Sequence, residues 1–233
     1  MTLKEENEIL KKQLQHAQEW MKREIWEKKQ NLEHHIQEKI YSFFSPGALS
    51  YFPSDGIENI TSSEIIFEHI LAGEALDGMG VIIGYQKVID EMVELYITKW
   101  FRKYCEKNLP HIAPQNIPLE KSLHSVIYQK YILSLWRLYN ILQLIQKQEV
   151  DSFYTQGFVS YIESRQYLKN SLLDTHFFLL LERLIRLHAI TDKRHSWTLS
   201  KRDTIEARNI VIGDFHDTNC ILSLLADSQN ISL

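Results

Sequence analysis

The sequence predicts an all-α protein, a long N-terminal helix of coiled-coil type followed by a five- to six-helix bundle. Three observations carry that expectation. Apolar residues recur at spacings of three and four along most of the chain, whereas strand-like alternation bounded by turn residues is almost absent. All five prolines, at 46, 53, 110, 114 and 118, fall in two short clusters, which leaves long uninterrupted stretches for helices. With 44% hydrophobic residues in 233, the chain has enough apolar surface for a real core.

Residues 2–40 read as one amphipathic helix. Leu3, Asn7, Leu10, Leu14, Ala17 and Met21 alternate four-three spacing, the a/d seam of a coiled coil, and are the candidate oligomerisation residues. The seam then slips and continues as Ile25, Leu32 and Ile36, a stutter near residues 21–29. Eight acids and eight bases in this segment let it pair with a copy of itself without net repulsion. Glu8–Lys12, Glu19–Arg23 and Glu24–Lys28 are i,i+4 pairs in the favourable orientation. The expected partner is a second copy, giving a homodimer. The competing reading, a helix folded back on its own domain, draws on Trp20 and Trp26.

The domain expectation is a coiled-coil helix over 1–43, a turn-rich connection over 44–60 and a helical bundle over 61–233. Phe43, Phe44, Tyr51 and Phe52 mark the connection as packed on the body rather than free. Thr61-Ser62-Ser63-Glu64 matches a capping box and predicts a helix start there. Gly78-Met79-Gly80 with Gly84 resembles a dinucleotide loop only superficially. The spacing is wrong and no strand precedes it, so a helix–helix turn with close approach at Gly80 and Gly84 is the better reading. Tyr85, Val88, Ile89, Met92, Tyr96, Trp100 and Tyr104 then predict a long core helix.

Pro118 suits a first helical position, and Leu119 to Gln148 is apolar on most sides, so it is expected to be one central helix, the spine of the bundle. A weaker helix is expected over Asp151–Asn170. Phe177 to His188 is an apolar helix, preceded by Asp174 as a candidate N-cap. Ser200 with Asp203 caps the next, which should run to Ile212 and stop at Gly213. A last short helix carries Ile221, Leu222, Leu224 and Leu225.

Lys+Arg 26 against Asp+Glu 30 gives no chain-wide basic field, so a nucleic-acid contact needs a local patch. Lys193, Arg194, Trp197, Lys201 and Arg202 form the most concentrated basic-plus-aromatic cluster and are the candidates for phosphate contact and base stacking. RNA remains the lesser reading, because acids flank the patch. Cys105 and Cys220 form no CxxC pair and imply reduced thiols. A charged N-terminus and short apolar runs predict a cytoplasmic protein with no membrane partner. No metal-ligand spacing, nucleophile elbow or cofactor motif occurs; His34-His35 diverge on a helix. No metal and no cofactor are expected.

The layout of residues 60–228 resembles HEPN-type helical domains of bacterial conflict and defence systems. The resemblance rests on Ser63-Glu64-Ile65-Ile66 leading into Gly84-Tyr85-Gln86-Lys87-Val88-Ile89, on the central apolar helix, and on His195 just before Leu199-Ser200-Lys201-Arg202-Asp203. It implies a bundle that is usually dimeric, serving as an accessory subunit of a defence or toxin system. In nuclease members an Arg and a His four to six residues apart cleave RNA without metal. There the His moves a proton and the guanidinium holds the phosphate.

Here Ile190 stands where that Arg is expected. The alternatives are His195 with Arg186 or Arg194, or Arg183 with His188, and nine arginines beside ten histidines produce about one such spacing by chance. The functional expectation is therefore a non-catalytic oligomerising adaptor or sensor module with a protein partner. A metal-independent endoribonuclease is the alternative.

Overall fold

The computed structural model describes residues 3–73, 77–193, 198–213 and 219–227, of which 3–10, 13, 25, 188–193 and 227 are described by backbone alone. Every regular element among them is helical. Helix α1 (Leu3–Phe43) is one unbroken element of 41 residues. Among its described side chains, those of the last turns reach the body: Ile36 and Ile40 are buried, Leu32 and Phe43 half-buried, and Lys39 Nζ meets Glu68 at 3.2 Å.

A tight connection follows. Ser45 Oγ accepts from Ala48 N at 3.1 Å and caps α2 (Pro46–Leu49), with proline at its first position. Phe44 and Phe52 pack edge-to-face at 4.9 Å, so the connection lies on the body as expected. Helix α3 (Gly56–Ala72) then begins earlier than the sequence suggested. Thr61 and Ser63 are not caps: their hydroxyls donate back to the Ile57 and Asn59 carbonyls, at 2.7 and 2.8 Å. The would-be capping Glu64 is instead buried at 3% exposure. The match fails because Gly56-Ile57-Glu58 already continues the apolar stripe upstream, and a buried basic partner takes Glu64.

Helix α4 (Met79–Val93) packs antiparallel on α3, and Gly84 is where they touch. A Cβ there would lie 1.9 Å from Ser63 Oγ and 3.4 Å from the Asn59 carbonyl. The close approach at Gly84 is as the sequence suggested; Gly80 is looser, its nearest neighbour, Ile66 Cδ1, being 3.2 Å away.

Helix α4 passes through a π-helical turn, Glu94–Thr98, into α5 (Lys99–Asn108). This turn corrects the expected core stripe. Tyr85, Ile89, Val93, Ile97, Phe101 and Cys105 are all fully buried at four-residue spacing. In a plain α-helix each such step overshoots a turn by about 40°, so the face would rotate away from the core. The extra residue of the π-turn resets it. Phe101 therefore goes inward and Trp100, expected in the stripe, is 38% exposed.

The expected central helix over 119–148 is two helices, α6 (Pro118–Tyr128) and α7 (Leu135–Gln146). Lys130 between them takes φ 58, the left-handed region that ends a helix. Tyr131, Ile132 and Trp136 are more than half exposed. The run looked apolar on every side because two elements with different burial faces were read as one. The spine is instead α4 with α5.

The expected helix over 151–170 is likewise divided into α8 (Phe153–Glu163) and α9 (Gln166–Leu172). Helix α10 (Thr175–Lys193) starts as expected, with Asp174 Oδ1 accepting from His176 N at 3.1 Å. Helix α11 (Lys201–Val211) is capped by Ser200, whose Oγ accepts from Asp203 N at 3.2 Å, and ends at Gly213 with φ 89. Helix α12 (Ile221–Asp227) is wedged among α2, α4, α9 and α10. The body thus holds more and shorter helices than the five or six expected.

Candidate functional site

Each of the alternative Arg/His pairs has a member whose side chain lies outside the described set, so the described residues show at most their arginine halves. Arg183 and Arg186 lie exposed on α10, but each guanidinium holds a carboxylate: Arg183 Nη2 meets Glu206 at 2.9 Å and Arg186 Nη2 meets Glu182 at 2.8 Å. Arg194 and His195 lie outside the described residues, as do the side chains of His188 and Lys193 and all of Trp197. Of the basic patch, Lys201 is exposed and donates to the Leu71 carbonyl at 2.7 Å, steadying the end of α3. Arg202 is exposed.

Of the seam residues, Leu14, Ala17 and Met21 are exposed, and the side chains of Leu3, Asn7 and Leu10 lie outside the described set. Described side chains from Lys11 to Asn31 are exposed throughout except Glu24, which is half-covered and holds Lys28 at 2.9 Å. Trp20 and Trp26, which could have folded α1 back on the body, are 64% and 60% exposed. The stutter near residues 21–29 lies just before Leu32, where α1 meets the body.

The chain also buries an ion pair that the sequence did not suggest. Arg208 on α11 donates through Nε to both Glu64 oxygens, at 3.2 and 3.1 Å, and Nη2 lies 3.0 Å from Oε2. Tyr85 Oη donates to the same carboxylate, and Arg208 Nη1 donates to the Gly213 carbonyl at 3.2 Å. Burial, then the Glu64 charge, pushes the Tyr85 hydroxyl well above its ordinary pKa. The Phe43 and Phe67 rings flank the guanidinium, and the pair joins α3, α4 and α11.

A polar aromatic cluster lies at the other end of the body. His111 and His124 sit 5.6 Å apart around Tyr128, and Tyr154 Oη donates to the Ile112 carbonyl at 2.6 Å. Burial pushes the Tyr154 hydroxyl up to about 12. Glu120, also buried, accepts from Tyr154 N at 3.1 and 3.2 Å and so caps α8. The cluster fastens the 109–117 loop to α6 and α8. No group of three or more His, Cys, Asp or Glu placed to hold a metal occurs among the described residues, and no described helix is long and apolar enough to cross a membrane. Cys105 and Cys220 are buried free thiols, and burial raises Cys105 to about 12, which makes it inert.

An open groove of about 740 Å³ lies beside α4 and the π-turn. Ile83, Leu95 and Ile132 give it an apolar floor, and Asp55, Asp90, Glu91 and Glu94 ring it with carboxylates. Its far wall is the 129–134 loop, which two polar anchors hold. Arg102 donates to the Val126 carbonyl at 2.8 Å and the Tyr131 carbonyl at 2.7 Å while pairing with Glu94. Asp90 Oδ1 accepts from Leu135 N at 3.0 Å and so caps α7. Burial raises the Asp90 carboxyl above its usual range, against the pull of the Leu135 amide and Gln86.

Sequence reasoning missed this groove because it placed 129–134 inside a helix. The signal available was Gln129-Lys130 interrupting the apolar run, with Ser134 ahead of Leu135 as a candidate N-cap.

Comparisons of the chain with family models, with curated proteins and with solved structures give no match.

Proposed function

We propose that this chain is a non-catalytic, oligomerising adaptor whose α1 pairs with α1 of a second copy while the helical body carries a docking surface for a protein partner. The observation that supports it most is that the described side chains of α1 from Lys11 to Asn31, half-covered Glu24 apart, are exposed. A helix of 41 residues is about 60 Å long, and an isolated helical segment with no tertiary packing is marginal in water. The seam through Leu14, Ala17 and Met21 gives it an apolar stripe to bury, and the equal count of acids and bases makes a second copy the electrostatically acceptable partner. Asn7 at a seam position favours a fixed register.

The HEPN-like assignment belongs to this proposal through the layout of residues 60–228 alone. The absence of catalysis is supported by the carboxylates that occupy Arg183 and Arg186.

Light scattering over a range of concentrations tests the reading. A mass of twice 27.6 kDa for the intact chain, falling to one copy in Leu14→Asp/Met21→Asp, is the expected result. A monomer at every concentration overturns the pairing. RNA cleavage in EDTA that is lost in His188→Ala/His195→Ala overturns the non-catalytic half.

A further inference from the structure

We infer that the groove between α4 and the 129–134 loop is a docking site for a positively charged amphipathic helix of another protein. The inference deepens the adaptor reading, on which it rests, by naming the partner's chemistry.

Shape comes first. Ile83, Lys87 and Asp90 or Glu91 on α4 and Glu94 at the start of the π-turn recur at three- and four-residue spacing, so the groove follows three turns of one continuous helix surface. That is about 17 Å, the footprint of two to three turns of a partner helix laid alongside. No strand occurs among the described residues, so an extended peptide finds no sheet edge to extend.

Apolar anchorage comes second. Ile83 and Ile132, 58% and 54% exposed, line the groove together with Leu95 of the π-turn. Apolar side chains left open on a concave surface with a polar rim are the pattern of an interaction site. Tyr131 and Trp136, chain neighbours of Ile132, are exposed beside it. The π-turn is what keeps Leu95 outward while Ile97 goes to the core. A wider turn of this kind is often retained at a working surface.

Charge decides the occupant. Four carboxylates line the groove against one ammonium, and that Lys87 is held away by Asn59 Oδ1 at 3.2 Å. Arg102 neutralises Glu94 and the Leu135 amide holds Asp90, which leaves Asp55 and Glu91 lining the groove with no ion-pair partner among the described residues. Such a rim repels nucleic acid and anionic membrane and attracts Lys and Arg. The apolar floor takes the Leu or Ile face of the same segment. The wall is also built in advance: Arg102 and Asp90 fix the 129–134 loop before any partner arrives, which lowers the ordering cost of binding.

The test uses the full chain and a fluorescent Lys/Leu amphipathic helical peptide, followed by anisotropy. Expected is saturable binding that weakens as salt rises, and at least a tenfold loss in Ile83→Asp/Glu91→Lys, two outward-facing changes whose folding is checked by thermal melting. A Glu/Leu peptide of the same length should not bind. The inference is overturned if the Lys/Leu peptide fails to bind below about 1 mM. Equal binding to the groove variant, or equal binding of the Glu/Leu peptide, overturns it too. Repeating the titration on Leu14→Asp/Met21→Asp separates the two readings. Peptide binding by a parent chain that stays monomeric at every concentration removes the oligomerising reading and keeps the groove. A dimer that ignores the peptide does the reverse.

Discussion

Glu64 and Arg208, 144 residues apart in sequence, form a bidentate ion pair inside the protein, and Tyr85 adds a third hydrogen bond to the same carboxylate. Both charges are almost fully removed from water, with side chains 3% and 10% exposed. Neither desolvation is tolerable without the other charge.

Removing one partner should therefore cost far more than removing both. Glu64→Ala leaves a buried guanidinium without its carboxylate, and we expect it to destabilise the fold by about 3–5 kcal/mol. The double substitution Glu64→Leu/Arg208→Met, which restores apolar volume, should recover most of that loss. A double-mutant cycle by urea unfolding measures the coupling. A small coupling, below about 1 kcal/mol, would mean that the pair is no more than a surface salt bridge in effect.

How much of this was legible in the sequence depends on range. Local features were: the cap at Ser200, the stop at Gly213, the Asp174 cap and the contact at Gly84 all rest on neighbours in the chain or on glycine's missing side chain. The capping box at Thr61–Glu64 failed because Arg208, which claims Glu64, is supplied from a distant helix. The break at 129–134 failed for the same reason. Its anchors, Arg102 and Asp90, lie on α5 and α4, and nothing in the local periodicity announces them. The groove followed the break out of sight. The seam of α1 was readable as a pattern, and the structure adds where it leaves the body.

Gly84 offers a second test. An added Cβ would overlap Ser63 Oγ at 1.9 Å, and that hydroxyl is bound to the Asn59 carbonyl on the facing helix. Gly84→Ala should force α3 and α4 apart and cost about 1–3 kcal/mol, even though alanine favours a helix intrinsically. Ser63→Ala in the same chain removes the overlapping oxygen and should return part of the loss. Thermal melting of the three variants checks the order. A Gly84→Ala more stable than the parent would place the helices further apart than described.

Asp90 links the groove to pH. Burial raises its folded pKa above the unfolded value near 3.8, so the folded protein binds the proton more tightly than the unfolded chain. The stability this group contributes is full below the unfolded value and is lost as pH rises through the folded one. Asp90→Asn keeps an oxygen for the Leu135 amide and removes the titration. We expect its urea midpoint to fall less steeply than that of the parent from about pH 4 to about pH 7. Parallel profiles for the two proteins would show that burial costs this carboxylate nothing.

The π-turn carries the last prediction. Thr98 is fully buried there, and its hydroxyl has no hydrogen-bond partner among the described residues. In an α-helix a threonine hydroxyl commonly returns to the carbonyl four residues back, as Thr61 does to Ile57 at 2.7 Å. The wider turn at Glu94–Thr98 denies Thr98 that bond, and it remains buried at the desolvation cost of an unsatisfied hydroxyl. Thr98→Val replaces the hydroxyl by a methyl of nearly the same shape. It should therefore stabilise the fold by about 1 kcal/mol, a change of sign opposite to that of most core substitutions. Thr98→Ala, which removes the same hydroxyl and leaves a void, should be less stable than Thr98→Val. Equilibrium unfolding in urea ranks the three, and a Thr98→Val weaker than the parent would mean that the hydroxyl has found an acceptor.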